Sequence, residues 1–104
     1  MGQKISEKTV GKQVMGFLKT IPNSCFMRRV AGMSNSGHPD VVGCINGRHV
    51  EIELKRPGSK PTDLQLKRLE EWEAAGAIAF WVDNLDAVKT YLWTIGLWTP
   101  EQKN

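Results

Sequence analysis

The chain has 104 residues, of which 40% are hydrophobic and 24% charged, and its net charge is +3. The length fits one domain over residues 1–104, the composition is that of a soluble globular protein, and no apolar run approaches the ~18 residues that a membrane span needs. The charge is uneven, because residues 1–60 hold ten Lys/Arg and four Asp/Glu, a net of +6. Such a basic half is typical of a protein that binds a polyanion, although a solvated surface explains it equally well.

The first third of the chain predicts a helix, a strand and a loop. Ser6 is a suitable cap for a helix that runs to about residue 20. Its apolar positions recur at helical spacing and form one stripe: Val10, Val14, Phe17 and Leu18. Residues 26–30 predict a short strand, and the Gly-, Ser- and Asn-rich residues 32–39 predict a loop.

A hairpin is predicted next. Residues 41–45 and 48–55 form two strands around Asn46-Gly47, whose residues tolerate the positive φ angles of a type I′ turn. Thr62 opens a helix to about residue 75, where Gly76 ends it. Residues 77–82 predict a buried strand, and Asn84 caps a last helix. The inward face of that helix is expected to carry Leu85, Val88, Leu92 and Ile95.

The element order is therefore αβββαβα. A hairpin followed by a helical crossover predicts an α/β fold with a mixed sheet flanked by helices. The four tryptophans are expected mostly in the core, with Trp93 and Trp98 at a dimer contact as the alternative. Cys25 and Cys44 lack metal-ligand spacing and lie among apolar residues, which predicts buried thiols of a cytoplasmic protein and leaves a disulfide open.

The strand at residues 48–55 carries an unusual set of charges. Side chains alternate along a strand, so its apolar residues face the core while Glu51, Glu53 and Lys55 share the opposite face. A solvated polar face with a cross-strand ion pair is one explanation. Asp40 supports another, because residue numbers paired across the Asn46-Gly47 turn sum to about 93, which places Asp40 opposite Glu53. Their Cβ atoms are then about 4.5–5.5 Å apart.

Two carboxylates at that separation repel each other unless a cation lies between them. Mg²⁺ prefers carboxylate oxygens, waters and phosphates, and the peptide carbonyl of Leu54 is a further candidate ligand. Lys55 lies two residues beyond Glu53 on the same face, within reach of a phosphate oxygen or an attacking water. These residue types predict hydrolysis of a phosphodiester by water.

The motif Pro39-Asp40 followed by Glu53-Leu54-Lys55 resembles the active-site signature of the PD-(D/E)xK nuclease superfamily. A longer pattern is similar to the VRR-NUC family (virus-type replication–repair nucleases) over roughly residues 6–92: GHPDVVG, NGR, ELKRPG, the PTxxQ helix start and GAIAFWV. The resemblance implies a restriction-endonuclease-like core. It also implies that Asp40 and Glu53 ligate Mg²⁺ or Mn²⁺ and that Lys55 is the catalytic lysine.

By the same resemblance, Gln65 and Glu7 complete the site. Each has a structural alternative, since Gln65 stands at the third position of a capping box and Glu7 is a first-turn acid favoured by the helix dipole. Glu51 is expected to be a supporting or exposed residue. His38 and His49 are expected to be structural residues or to lie at the edge of the substrate.

Five basic residues are candidate contacts to a DNA backbone: Arg28, Arg29, Arg48, Arg56 and Lys60. The resemblance implies a metal-dependent, structure-specific DNA endonuclease, a homodimer similar to Holliday-junction resolvases that acts on branched DNA. The alternatives are a flap nuclease, a DNA-binding module of the same fold that does not cut, and a structural or assembly protein with a solvated charged strand.

Overall fold

The computed structural model describes residues 5–29 and 36–101. Its elements are α1 Glu7–Leu18, β1 Ser24–Arg28, β2 Val41–Ile45, β3 Arg48–Leu54, α2 Asp63–Ala74, β4 Ile78–Val82 and α3 Leu85–Thr94. The predicted order αβββαβα is confirmed. The mixed sheet is confirmed too, with the strand order β1-β2-β3-β4. Strand β2 pairs antiparallel with both β1 and β3, and β3 pairs parallel with β4.

Helix α1 begins at the predicted cap, where the hydroxyl of Ser6 accepts a hydrogen bond from the Thr9 backbone N–H at 3.1 Å. The predicted apolar stripe packs into the core, since Val10, Val14 and Leu18 are buried. Burying each such side chain stabilises the fold by about 1.5–3 kcal/mol. The stripe therefore fixes α1, and with it Glu7 at the helix start, against the sheet.

The hairpin between β2 and β3 turns at Asn46-Gly47, whose φ angles are +50° and +80°, as a type I′ turn requires. Val41 pairs with Ile52, so the predicted sum of 93 is confirmed. One step further along the same register, Asp40 lies opposite Glu53. The turn chemistry thus determines which side chains meet at the other end of the hairpin.

The two faces of the sheet are covered differently. Helices α1 and α3 pack on one face over the aliphatic core of β2, β3 and β4. Helix α2 packs on the other face, where it lies over β3 and β4 only. The β1–β2 half of that second face is left open, and Met27, Cys25 and Cys44 are exposed there.

Several expectations about burial were wrong. Cys25 and Cys44 are exposed, because their side chains point to the open half-face rather than to the core. Trp81 and Trp93 are also exposed, and Ile95 lies beyond the buried face of α3. The half-buried tryptophans, Trp72 and Trp98, pack at the margins of the core. Whether an apolar side chain is buried depends on whether a helix covers its part of the sheet, and composition does not reveal this.

The first strand occupies Ser24–Arg28 rather than residues 26–30, because its register with β2 begins at Ser24 opposite Ile45. Residue 30 and most of the predicted loop at residues 32–39 lie outside the described residues, whereas residues 36–40 are described and form no strand. Gly43 permits close packing of β1 and β2, since a Cβ there would fall against the Cys25 carbonyl oxygen and the Phe26 ring. No helix in the described ranges is long and apolar enough to cross a membrane.

Candidate active site

Asp40 and Glu53 meet at the end of the β2–β3 hairpin, as predicted. Asp40 immediately precedes β2 and Glu53 is the penultimate residue of β3. An Oδ2 atom of Asp40 accepts a hydrogen bond from the Leu54 backbone N–H at 3.0 Å, and Asp40 is close enough for its charge to act on the Glu53 carboxyl. Only 2% of Glu53 is exposed. Two acidic groups therefore share one small, largely dry volume.

Burial, together with the negative charge of Asp40, raises the pKa of Glu53 from 4.5 to about 8. The ammonium of Lys55 opposes this effect, while the carboxylate of Glu7 adds to it weakly. With that pKa and no cation beside it, the Glu53 carboxyl holds a proton near neutral pH. A strongly perturbed carboxyl beside a specific charge partner is typical of a functional site.

The Oε1 atom of Glu53 is buried and has no hydrogen-bond partner in the described ranges. Such an atom is costly unless a ligand satisfies it. The donor set fits a hard divalent cation, because it offers carboxylate oxygens in a partly closed volume. Among the described residues, no group of three or more His, Cys, Asp or Glu side chains is placed so that protein groups alone could hold a metal ion. The remaining ligands would therefore be waters, phosphate or backbone carbonyls, as Mg²⁺ and Mn²⁺ accept and structural Zn²⁺ does not.

Lys55 completes the group on the same side of the sheet. Its Nζ lies 3.6 Å from an Oε2 atom of Glu53, and 14% of its side chain is exposed. The Lys55 backbone N–H donates to the Val82 carbonyl at 2.9 Å, which fixes the end of β3 against β4. The ammonium thus lies beside the Glu53 carboxylate and is itself largely buried.

Glu7 and Arg56 flank this group. Glu7, at the first turn of α1, is near enough to act on the charge of Glu53. Together with Arg56 and the following residues 57–59, the start of α1 lines a surface cleft. Glu7 is therefore both the first-turn acid of α1 and close enough to the candidate site for its charge to act on Glu53.

Gln65 forms the capping box that its spacing from Thr62 predicted. Its amide oxygen accepts a hydrogen bond from the Thr62 backbone N–H at 2.9 Å, and its own backbone N–H donates to the Thr62 hydroxyl at 3.2 Å. Both halves of the capping box are present. The amide nitrogen of Gln65 makes no hydrogen bond within the described ranges, so a catalytic role stays a prediction beside the observed cap.

Glu51 is fully buried, so the expectation that it might be exposed was wrong. Arg29 donates to both of its carboxylate oxygens, at 2.5 and 3.1 Å, and His49 Nε2 lies 2.7 Å from one of them. The same guanidinium donates to the Pro39 carbonyl at 2.6 Å, and the Arg29 backbone N–H donates to the Asp40 carbonyl at 2.7 Å. Arg29 therefore holds the backbone of Asp40 in place instead of extending toward DNA.

The other basic candidates are spread around the molecule. Arg28 points to the opposite face, where its guanidinium lies against α1 at Gly11. Arg48 stands beside the hairpin turn, five residues and therefore about 16 Å along β3 from Glu53. Arg56 and Lys60 are exposed in the segment that follows β3, and Arg56 is only three residues from Glu53 in sequence.

The two histidines contact Trp72 of α2. The Trp72 indole N–H donates to His38 Nδ1 at 3.1 Å, and the His49 ring packs edge-on with a centroid separation of 5.0 Å. Arg29 lies 5.4 Å from the centroid of the same indole ring. The histidines thus belong to a packed cluster beside the site, in agreement with the structural role expected for them.

Comparison with models of known protein families and with curated proteins gave no match. Among solved structures, a "VRR_NUC domain protein" superposes with a TM-score of 0.71 and 22% identity, covering 92% of this chain and 93% of that one. A "VRR_NUC domain" gives a TM-score of 0.68 and 24% identity over 85% of this chain and 94% of that one. The chain has the VRR-NUC fold. The VRR-NUC resemblance seen in the sequence is thus confirmed for the architecture, and the superposed part includes nearly the whole chain.

Proposed function

We propose that this chain is a VRR-NUC nuclease that hydrolyses DNA phosphodiester bonds with Mg²⁺ or Mn²⁺. The observation that carries the proposal is the meeting of Asp40, Glu53 and Lys55 around the unpartnered Glu53 Oε1 atom. The VRR-NUC fold supports it, because the PD-(D/E)xK residues fall at one point of that fold. A solvated charged strand does not explain a glutamate that is only 2% exposed.

Asp40 and Glu53 would hold the cation, with the Leu54 carbonyl as the proposed backbone ligand. When bound, the ion lowers the pKa of a coordinated water and neutralises charge on the phosphate. Lys55 donates hydrogen bonds to the attacking water or to a phosphate oxygen and stabilises negative charge as it develops. We further propose that Glu7 orients water from the α1 side and that Gln65 supports the site from the start of α2.

The proposed substrate is branched DNA, cut by a homodimer in the cytoplasm. The net charge of +6 over residues 1–60 favours a phosphate-rich partner. Trp93 and Ile95, which are 56% and 41% exposed near the end of α3, offer apolar area for a second copy. Two copies related by a two-fold axis would suit two symmetric incisions in a four-way junction. A flap nuclease remains the alternative within the same chemistry.

The test is a cleavage panel of end-labelled four-way junction, flap, nicked, single-stranded and duplex DNA, with Mg²⁺, Mn²⁺ or EDTA. Wild type should cut only with metal, and junction DNA fastest. Asp40→Asn and Glu53→Gln should not cut, whereas Glu70→Gln, a charge change at an exposed residue of α2, should cut as wild type does. Equal cutting by all three variants would reject the nuclease proposal, and sedimentation analysis would decide the dimer separately.

A further inference from the structure

Cys25 and Cys44 face each other across β1 and β2. They are direct register partners in the antiparallel ladder, so their side chains leave the same face of the sheet. Both thiols are exposed and neither is part of a disulfide. They stand on the half-face that α2 leaves open, away from the carboxylates of the proposed nuclease site. A pair of exposed thiols held opposite one another is a potential chemical site in its own right.

The hydrogen-bond pattern fixes the spacing of this pair. Along the β1–β2 ladder, the Arg29 N–H donates to the Asp40 carbonyl at 2.7 Å, and the Asn46 N–H donates to the Asn23 carbonyl at 2.9 Å. Hydrogen-bonded pairs alternate with non-hydrogen-bonded pairs, and Cys25–Cys44 is an even number of steps from both ends. It is therefore a hydrogen-bonded pair, with Cα atoms about 5.5 Å apart, well within the range of about 4.4–6.8 Å seen in disulfides.

The Cβ atoms of such a pair stand near the upper end of about 4.5–5.5 Å, whereas a disulfide requires about 3.5–4.5 Å. The strands must approach by roughly 1 Å for the bond to form. Among the described residues, β1 is an edge strand that pairs with β2 alone, so it is the strand best able to move. A bond formed against this resistance is strained and exposed, and such disulfides are readily reduced again.

We propose that Cys25 and Cys44 form a redox-modification site, a cross-strand dithiol that glutathione disulfide oxidises reversibly to an intramolecular disulfide. This inference does not depend on the proposed nuclease function. The geometry matters because the two thiols are prearranged by the register rather than brought together by chance encounters across a flexible chain.

The reaction balances as two successive exchanges. The thiolate of one cysteine attacks the glutathione disulfide, forms a mixed disulfide and releases one glutathione thiolate. The second cysteine loses its proton to solvent and attacks the protein sulfur of that mixed disulfide, which releases the second glutathione. Two cysteine thiols are oxidised, one glutathione disulfide is reduced to two glutathione thiols, and dithiothreitol reverses both steps.

The experiment treats the reduced full-length protein with a series of ratios of oxidised to reduced glutathione and follows it by intact mass and thiol titration. The expected product is a monomer that has lost two hydrogen atoms and both thiols, with one cross-linked peptide pair containing Cys25 and Cys44. Cys25→Ser and Cys44→Ser are matched controls, and each should stop at one glutathione adduct. The resolving step should be at least about tenfold faster in the folded protein than in urea.

Other products would overturn the proposal. A folded wild type that carries two glutathione adducts, or that forms disulfide-linked dimers instead, would show that the two thiols cannot meet. Equal resolving rates with and without urea would show that the register does not prearrange them. A trivalent arsenical, which bridges neighbouring thiols without oxidation, gives an independent result: wild type should bind one equivalent with both thiols protected, and neither serine variant should retain it.

Discussion

Glu51 and Glu53 are identical side chains two residues apart on one face of β3, and both are buried, at 0% and 2% exposure. Their surroundings differ. Both oxygens of Glu51 are bonded, by Arg29 and His49, whereas Glu53 keeps one oxygen without a hydrogen bond in the described ranges and has a second carboxyl as its neighbour. The fold satisfies both oxygens of Glu51 internally and leaves one oxygen of Glu53 without a partner among the described residues, which is why we propose Glu53 as a ligand. Burial alone therefore does not mark a functional glutamate, but burial without a partner does.

The largest expected difference between the two glutamates is in catalysis. Glu53→Gln should lower the rate of DNA cleavage by at least about 10³-fold, because it removes the proposed metal ligand and the charge that the proposed mechanism needs. Asp40→Asn should act similarly, and the exposed Glu70→Gln should not. Calorimetry with Mn²⁺ should show weaker binding for the first two variants only. If Glu53→Gln retained wild-type rates at saturating Mn²⁺, the contrast drawn here would be wrong.

The next effect concerns Glu51 and is expected in stability. Arg29→Ala leaves a fully buried carboxylate without the two hydrogen bonds from the guanidinium, and breaking a buried pair in this way costs about 3–5 kcal/mol. With 30% of the Arg29 side chain exposed, the lower end of that range is expected. Urea denaturation measures it.

A double variant sharpens the test of that pair. Arg29→Met combined with Glu51→Leu should be more stable than Arg29→Ala, because no buried charge is left unpaired. The double variant should also cut more slowly than wild type, since the Pro39 carbonyl and the backbone at Asp40 lose the guanidinium that holds them. A double variant no more stable than Arg29→Ala would indicate that Glu51 is not the source of the penalty.

The pH dependence of stability distinguishes Glu53 from Glu51 in the metal-free protein. The pKa of Glu53 is about 8 in the fold against 4.5 as a free side chain. Between these values the folded state holds a proton that the unfolded state has lost, so the free energy of unfolding should fall as pH rises from about 4.5 to about 8. The separation of the two values sets an upper bound of about 5 kcal/mol, and a loss of about 2–3 kcal/mol is expected.

The matched variant isolates this effect. Glu53→Gln should lack this fall in stability. In EDTA, the free energy of unfolding of the variant should therefore rise relative to that of wild type as the pH approaches 8. Saturating Mn²⁺ should restore the wild type, because binding to the folded state alone adds stability. Parallel pH profiles for wild type and Glu53→Gln would refute the assignment of the proton to this pair.

The smallest expected effect is at His49, the second partner of Glu51. The imidazole side chain is 43% exposed, so its contact with the carboxylate is screened by solvent. His49→Ala should cost about 0.5–1 kcal/mol, well below Arg29→Ala, and should leave the cleavage rate within about twofold of wild type. A cost equal to that of Arg29→Ala would mean that the two partners of Glu51 had been ranked wrongly.

Local chemistry made the hairpin and its far end predictable. Asn46-Gly47 specifies a tight turn, a tight turn specifies the register, and the register brings Asp40 opposite Glu53. The helix caps at Ser6 and Thr62 were equally readable, because each is a contact between residues three apart. These parts of the fold depend on short sequence separations, at which the residue type alone restricts the geometry.

Long-range contacts were not predictable in the same way. The partner of Glu51 is Arg29, 22 residues earlier and directly after a strand whose bounds were misplaced by two residues. The only available signal was that a glutamate on the same face as Glu53 would need a cation if it were buried. The exposure of Cys25 and Cys44 depends on how much of the sheet α2 covers. The path of the β3–α2–β4 crossover sets that coverage, and no local sequence pattern predicts it.

Arg29 also joins the two ends of the segment that connects β1 to β2. Its main chain and side chain bond to residues 40 and 39, so the two ends of the intervening segment are joined by the protein itself. Asp40 is thus held from the β1 side by Arg29 and from β3 by the Leu54 backbone N–H. One carboxylate at the start of β2 is therefore positioned from both neighbouring strands, so its geometry depends on the whole antiparallel half of the sheet.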